Sequence, residues 1–127
     1  MKLLIVDDSL IVRNAIARCA EAARLEAVFR AEDGEEAVAL FAAHRPGVVT
    51  MDLTMPRLDG LGAIQAIRAM APRTSILVIS ALNSHKTALE AIRRGACGFL
   101  TKPFTEKEVA EALDDLIRHA LAQGEAP

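Results

Sequence analysis

Five polar residues in this chain of 127 stand where chemistry is possible: Asp7, Asp8, Asp52, Ser80 and Lys102. Carboxylates brought together repel one another when ionised, and burial sharpens the repulsion. Lys102 compensates one charge. A hard divalent cation compensates more, and oxygen donors without Cys or His favour Mg²⁺ over zinc or copper, with Mn²⁺ as the other hard ion such ligands accept. Mg²⁺ keeps several waters and takes one or two carboxylates plus a phosphate oxygen, which leaves one aspartate free to react. A carboxylate can attack phosphorus and form an aspartyl phosphate. Such a transfer needs mainly positioning and neutralisation of charge on the phosphoryl oxygens. The cation, the Lys102 ammonium and the Ser80 hydroxyl would supply that neutralisation.

Each residue taken alone has a simpler reading. Asp7, Asp8 and Ser9 precede a helix and would cap it. Asp52 would serve as a turn residue, Ser80 as a cap and Lys102 as a solvated lysine. What binds them together is their place in the chain, because each lies just past a predicted strand.

Those strands are apolar runs. Residues 3–6 form the first, all apolar, as expected of a strand buried on both faces. Residues 25–30 form the second, with Phe29 inward. Val48, Val49 and Met51 form the third, which runs into Asp52 and is followed by Pro56 and the turn pair Asp59-Gly60. Residues 75–79 form the fourth, before Ser80. Residues 97–100 form the fifth, opened by Cys97 and followed by Thr101-Lys102-Pro103.

Helical periodicity fills the intervals. The first helix carries Val12, Ile16, Cys19, Ala20 and Ala23 on one face, with Arg13 and Arg18 off it. Asp33 and Glu36 come close to a capping box before Ala37, Val38 and Phe41. A third helix from about Gly60 buries Leu61, Ile64 and Ile67 and ends before Pro72. A weaker fourth starts near Ser84, carries Ala88, Ala91 and Ile92, and stops at Gly95. The last is the best specified: Thr105 and Glu108 form a capping box, Phe104 and Val109 a hydrophobic staple, and Val109, Leu113, Leu116, Ile117 and Ala120 an inner face. Alternation of strands and helices with short connections predicts an α/β fold. Its five-stranded parallel sheet carries helices on both faces in a doubly wound (βα)5 arrangement. Ligands bind such sheets beyond the carboxyl ends of the strands. A flavodoxin-like order 2-1-3-4-5 would bring strands one, three and four together. We expect one domain over 1–122 and a short flexible tail over 123–127.

Composition narrows the classes. An apolar fraction of 52% excludes a disordered chain, and a net charge of −2 gives no electrostatic footprint for direct nucleic-acid binding. No apolar run is long enough for membrane insertion, and the hydrophobic start meets Asp7-Asp8 too soon for a signal peptide. We therefore expect a cytoplasmic protein. The two cysteines, Cys19 and Cys97, have no metal-ligand spacing and are expected as reduced core thiols. His44, His85 and His119 fall at helix ends or outer faces and receive no catalytic role.

The segments LLIVDDS at 3–9, MDLTMPRLDG at 51–60, ISA at 79–81 and FLTKPF at 99–104 together resemble the receiver domain of bacterial response regulators, the CheY-like family. The resemblance extends from Lys2 to about Leu121. It implies that Asp52 is the phospho-acceptor and that Asp7 and Asp8 hold Mg²⁺, Asp8 more directly, with the backbone carbonyl of Thr54 as third protein contact. It implies that Ser80 is the switch hydroxyl, that Lys102 contacts the phosphoryl group, that Phe99 is the aromatic switch position, and that the Lys102–Pro103 bond is cis. The implied function is a two-component switch. A histidine kinase or histidine phosphotransfer protein gives its phosphoryl group to Asp52, Ser80 and Phe99 respond, and the face of the fourth helix, fifth strand and fifth helix changes its affinity for a downstream protein. Such a protein catalyses its own phosphorylation and dephosphorylation without being a conventional enzyme. It is a monomer or a phosphorylation-dependent dimer.

Phe99 stands where the family often has tyrosine, and Thr54 and Leu82 flank the expected phosphate, positions that modulate its lifetime in the family. Nothing after Pro127 reads as an output domain; a receiver cut from a longer regulator would look the same. Three other readings compete. One is a phosphate-independent pseudo-receiver that acts only as a binding module. Another is a phosphatase of the haloacid dehalogenase type, which would want a DxD motif after one strand where this chain has adjacent Asp7-Asp8. The third is a flavodoxin-like cofactor binder, disfavoured by the acidic crevice.

Overall fold

The computed structural model describes residues 1–82 and 84–123. Gln123 closes the last helix, and residues 124–127 of the expected tail lie outside the described range. Five strands, β1 (Lys2–Val6), β2 (Ala27–Ala31), β3 (Val48–Met51), β4 (Ser75–Ser80) and β5 (Gly98–Thr101), form one sheet in the order β2-β1-β3-β4-β5. Every pairing is parallel. The helices are α1 (Leu10–Ala20), α2 (Gly34–His44), α3 (Gly60–Met70), α4 (His85–Arg93) and α5 (Glu106–Ala122). This is the flavodoxin-like topology expected from the alternating pattern.

Strand alternation divides the core in two. Leu4, Val6, Val49, Met51, Ile76 and Val78 point to one face, where Ala37, Phe41, Ile64 and Ile67 of α2 and α3 cover them. Leu3, Ile5, Val48, Leu77 and Ile79 point to the other, covered by Ile16 of α1 and by Val109, Leu113, Leu116 and Ala120 of α5. The three central strands are buried along their length apart from Lys2, which suits a sheet covered on both sides.

Side chains fix the helix starts. Ser9, Asp33, Asp59, Ser84 and Thr105 each accept a backbone N–H at the first turn of their helix, and Thr105 with Glu108 completes a capping box. At α2 the box reaches one residue further back than expected, because Glu36 Oε1 accepts the N–H of Glu32 at 2.8 Å.

Several expectations are corrected. β2 starts at Ala27, not at residue 25: a 3₁₀ turn (Glu21–Ala23) and left-handed Arg24 (φ 54°) intervene, and the ladder with Lys2 begins only afterwards. Cys97 does not open β5 and is not a core thiol. Ala96 takes the buried position, so alternation turns Cys97 outward to solvent beside the Arg68 guanidinium at 3.8 Å. Cys19 is half-buried against the α1–α5 core. Ile92 is 47% exposed, since α4 turns only Ala91 fully to the protein.

Candidate functional site

The carboxyl ends of β1, β3 and β5 converge. Backbone ladder bonds carry the order of the sheet one residue past the strands. The N–H of Asp7 donates to Ala31 O at 3.1 Å, that of Asp52 to Val6 O at 2.9 Å, and that of Lys102 to Ser80 O at 2.9 Å. The three side chains are thus set by the sheet itself rather than by mobile loop. The Lys102–Pro103 peptide bond that follows is cis.

Carboxylate oxygens of Asp7, Asp8 and Asp52 lie within 4.8 Å of one another. Asp7 and Asp52 are buried and Asp8 is exposed, so the cluster opens to solvent on the Asp8 side. Lys102 Nζ lies 2.7 Å from Asp7 Oδ2 and 3.5 Å from Asp52 Oδ2. The nearer contact is an ion pair without hydrogen-bond alignment, so the buried Asp7 Oδ2 has no hydrogen-bond partner. Asp7 Oδ1 accepts the N–H of Ser9 at 3.0 Å, and Asp52 Oδ1 accepts that of Thr54 at a long 3.4 Å. Burial, then the charge of Asp7, pushes the Asp52 carboxyl above its ordinary value, with Lys102 and the Thr54 N–H acting against the rise. Crowded acids, a buried carboxylate oxygen without an aligned hydrogen bond and all-oxygen donors fit a hard divalent cation.

The remaining expected residues lie around this centre. Ser80 is fully buried, and its Oγ accepts the N–H of Leu82 at 3.1 Å. Thr54 is exposed on the loop after β3. Phe99 is half-buried on β5 against the α2–α3 core.

The loop from Asp52 to α3 is held at close range. A Cβ on Gly60 would lie 2.1 Å from the Asp52 carbonyl oxygen, and one on Gly34 would lie 1.9 Å from that of Leu58. Only glycine fits either place. Arg57, in the left-handed region at φ 64°, reaches across to Asp33 Oδ2 at 2.6 Å. Hydrogen bonds from the backbone N–H of Glu36 and then the Arg57 charge hold the Asp33 carboxyl below its ordinary value. Arg57 and Asp33 form, with Asp8, Glu32 and Pro56, a cleft of about 260 Å³ beside the carboxylates.

Sequence reasoning missed Arg57 and Arg13. Arg13 folds back so that Nη1 donates to the Asp7 carbonyl oxygen at 2.7 Å. Its place one turn after the Ser9 cap was visible, but the direction of its long side chain was not. A third omission, Thr50, is a hydroxyl inside the otherwise apolar strand VVTM, and it is wholly buried.

Residues 3–114 match the family model for the response regulator receiver domain. The chain belongs to the response regulator receiver family. Among curated relatives, this receiver is similar to the chemotaxis protein CheY of Listeria monocytogenes, 40% identical over 114 residues, which cover 90% of this chain and 96% of that one. Among solved structures it is similar to Vibrio cholerae CheY4 (TM-score 0.83, 32% identity, 91% of this chain and 97% of that one). It also matches a chain of the CheX-CheY-BeF3-Mg²⁺ complex from Borrelia burgdorferi (TM-score 0.87, 28% identity, 92% of this chain and 89% of that one). The protein is a CheY-like receiver, a response regulator module of two-component signalling. Among its described residues no helix is long and apolar enough to cross a membrane.

Proposed function

We propose that Asp52 of this receiver accepts a phosphoryl group from phosphohistidine on a histidine kinase or histidine phosphotransfer protein. An Asp52 oxygen attacks phosphorus, the P–N bond breaks, and its electron pair returns to the imidazole nitrogen. The observation that carries this reading is the cluster of three carboxylates within 4.8 Å, with one lysine ammonium in contact with both buried members. Asp7, Asp8, Asp52 and the Thr54 carbonyl are the residues that would hold Mg²⁺, or Mn²⁺. When bound, the ion supplies neutralisation of charge on the phosphoryl oxygens. Lys102 stands ready to exchange its aspartate contacts for a phosphoryl oxygen.

Ser80 Oγ carries the response. It now accepts the Leu82 N–H. Turning its hydroxyl proton toward a phosphoryl oxygen would pull on the β4–α4 connection, with Phe99 following. The α4–β5–α5 face is the surface for the downstream partner, and its affinity shifts only because phosphate contacts differ between the two states. We place the protein in the cytoplasm, as a monomer or a phosphorylation-dependent dimer.

The test is intact-protein mass with acetyl phosphate, with and without Mg²⁺, followed by borohydride trapping to map the site. One Mg²⁺-dependent phosphate on Asp52, absent in Asp52→Asn, is the expected result. Label on another residue would move the acceptor. No label from acetyl phosphate or from a panel of phosphorylated kinases, with Mg²⁺ bound, would make the chain a phosphate-independent pseudo-receiver.

A further inference from the structure

Among the described residues, two buried side-chain polar atoms lack a hydrogen-bond partner: Asp7 Oδ2 and Thr50 Oγ1. Thr50 Oγ1 has no ion-pair partner either, while Asp7 Oδ2 has the Lys102 ammonium as an unaligned ion-pair partner; native proteins leave few buried polar atoms without a hydrogen bond. These two are neighbours in the sheet. Thr50 pairs in register with Ile5 on one side and Leu77 on the other, and both point into the α1–α5 core. Val48, two residues before Thr50, points there too, so alternation turns Thr50 to the same face. Asp7 follows Ile5 by two residues and keeps that face, its ladder bond to Ala31 continuing the strand. Asp7 and Thr50 are therefore diagonal neighbours on adjacent strands. Strand rise and spacing put their Cα atoms roughly 8 Å apart. A single water bridges two oxygens about 4.5–5 Å apart, less than the Cα separation of two side chains that stand on one face across such a diagonal.

The chemistry of the two atoms is complementary. An ionised carboxylate only accepts, and a threonine hydroxyl can donate or accept. The Lys102 ammonium, 2.7 Å from Asp7 Oδ2 but not aligned on it, is a third polar partner at the same spot. Buried waters make about three such bonds.

We propose that one buried water sits between Asp7 Oδ2 and Thr50 Oγ1. It donates to the carboxylate and accepts from the Thr50 hydroxyl or from Lys102. Thr50 is then a positioning residue. Through the water it fixes the rotation of the Asp7 carboxylate, whose other oxygen is already tied to the Ser9 N–H. The consequence for cation affinity, and only that consequence, rests on the assignment of Asp7 to the metal site.

A stability cycle in EDTA tests the water without metal or phosphate. Thr50→Val keeps the shape of the side chain and removes the hydroxyl. The expected result is a lower urea midpoint for Thr50→Val in the wild-type background and no lowering in the Asp7→Ala background. Thr50→Ser, which keeps the hydroxyl, is expected to restore the coupling to Asp7. A midpoint that rises on Thr50→Val, or effects that simply add, would overturn the proposal. If Asp7→Ala does not fold, a high-resolution crystal structure decides: ordered density within hydrogen-bond distance of both oxygens supports the water, and its absence refutes it. In the wild-type background Thr50→Val is further expected to weaken Mg²⁺ binding by about two- to tenfold, the equivalent of one net hydrogen bond. Unchanged Mg²⁺ affinity with a positive stability cycle would retain the water and remove Thr50 from the positioning of the cation ligands.

Discussion

Gly60 rests on the backbone of Asp52: a Cβ there would lie 2.1 Å from the Asp52 carbonyl oxygen and 2.6 Å from Leu53 Cα. The Gly60 N–H meanwhile donates to Leu53 O at 3.1 Å. The start of α3 and the proposed acceptor are therefore a single packed unit. The clashing atoms are backbone, which cannot swing aside as the end of a side chain can. Gly60→Ala is expected to cost about 1–3 kcal/mol of stability. It is also expected to slow labelling of Asp52 by acetyl phosphate, because relief of the clash displaces the acceptor. Urea unfolding and mass spectrometry on one preparation check both.

Asp52 sets one pH dependence. Its carboxyl is raised above the ordinary 3.8 by burial and by Asp7. A raised acid binds its proton more tightly in the folded than in the unfolded state. Its favourable contribution is complete below 3.8 and is lost as pH rises through the raised value. Asp52→Asn is thus expected to unfold at higher urea than the wild type at pH 7 in EDTA, and the gap is expected to close in acid. Midpoints measured from pH 3 to pH 8, a range of roughly the carboxylate-to-neutral span, give the comparison.

Asp33 has the opposite sign. Its carboxyl lies below the ordinary 3.8, chiefly through the Glu36 N–H and then the Arg57 guanidinium. Its stabilisation is present above 3.8 and is lost as pH falls through the lowered value. Asp33→Asn keeps a capping oxygen but drops the charge. It is expected to be less stable than the wild type at neutral pH and to converge with it in strong acid. The same urea series resolves this, with Arg57→Gln as the partner variant that should show a similar loss.

The two thiols are expected to react in sequence. Cys97 is exposed. Cys19 is half-buried, and burial followed by the charge of Glu106 pushes its thiol above the ordinary 9.0. A thiol-disulfide reagent at pH 8 should modify Cys97 at least about tenfold faster, in line with the lower thiolate fraction and poorer access of a buried cysteine. Peptide mapping after partial labelling identifies the first site.

The legible parts of this protein were those in which short-range pattern and tertiary role coincide. Apolar runs ended at Asp52, Ser80 and Lys102, and sheet topology then had to collect those ends. The α5 capping box, Phe104 with Val109 included, sat wholly within a few residues of sequence. Periodicity failed where a neighbour elsewhere in the chain decides orientation. Cys97 follows Ala96, and only the entry of the chain into an edge strand determines which of the two turns inward. Arg13 and Arg57 act through long side chains whose partners, the Asp7 carbonyl and Asp33, are set by the fold. Thr50 was visible as a polar residue in an apolar strand, but its place diagonal to Asp7 required the register of β1 against β3.

The segment between Asp52 and Gly60 is anchored at both ends and in the middle. Gly60 presses on Asp52, Leu58 presses on Gly34 at the head of α2, and Arg57 is tied to Asp33 one residue earlier. Such a segment acts as a strut, not a flap. It joins the end of β3 to the first turn of α2 by backbone packing and one ion pair. The two ends of the proposed site are thus tied to opposite borders of the sheet, Asp52 through this segment to the first turn of α2 beside β2, and Ser80 through its strand to β5.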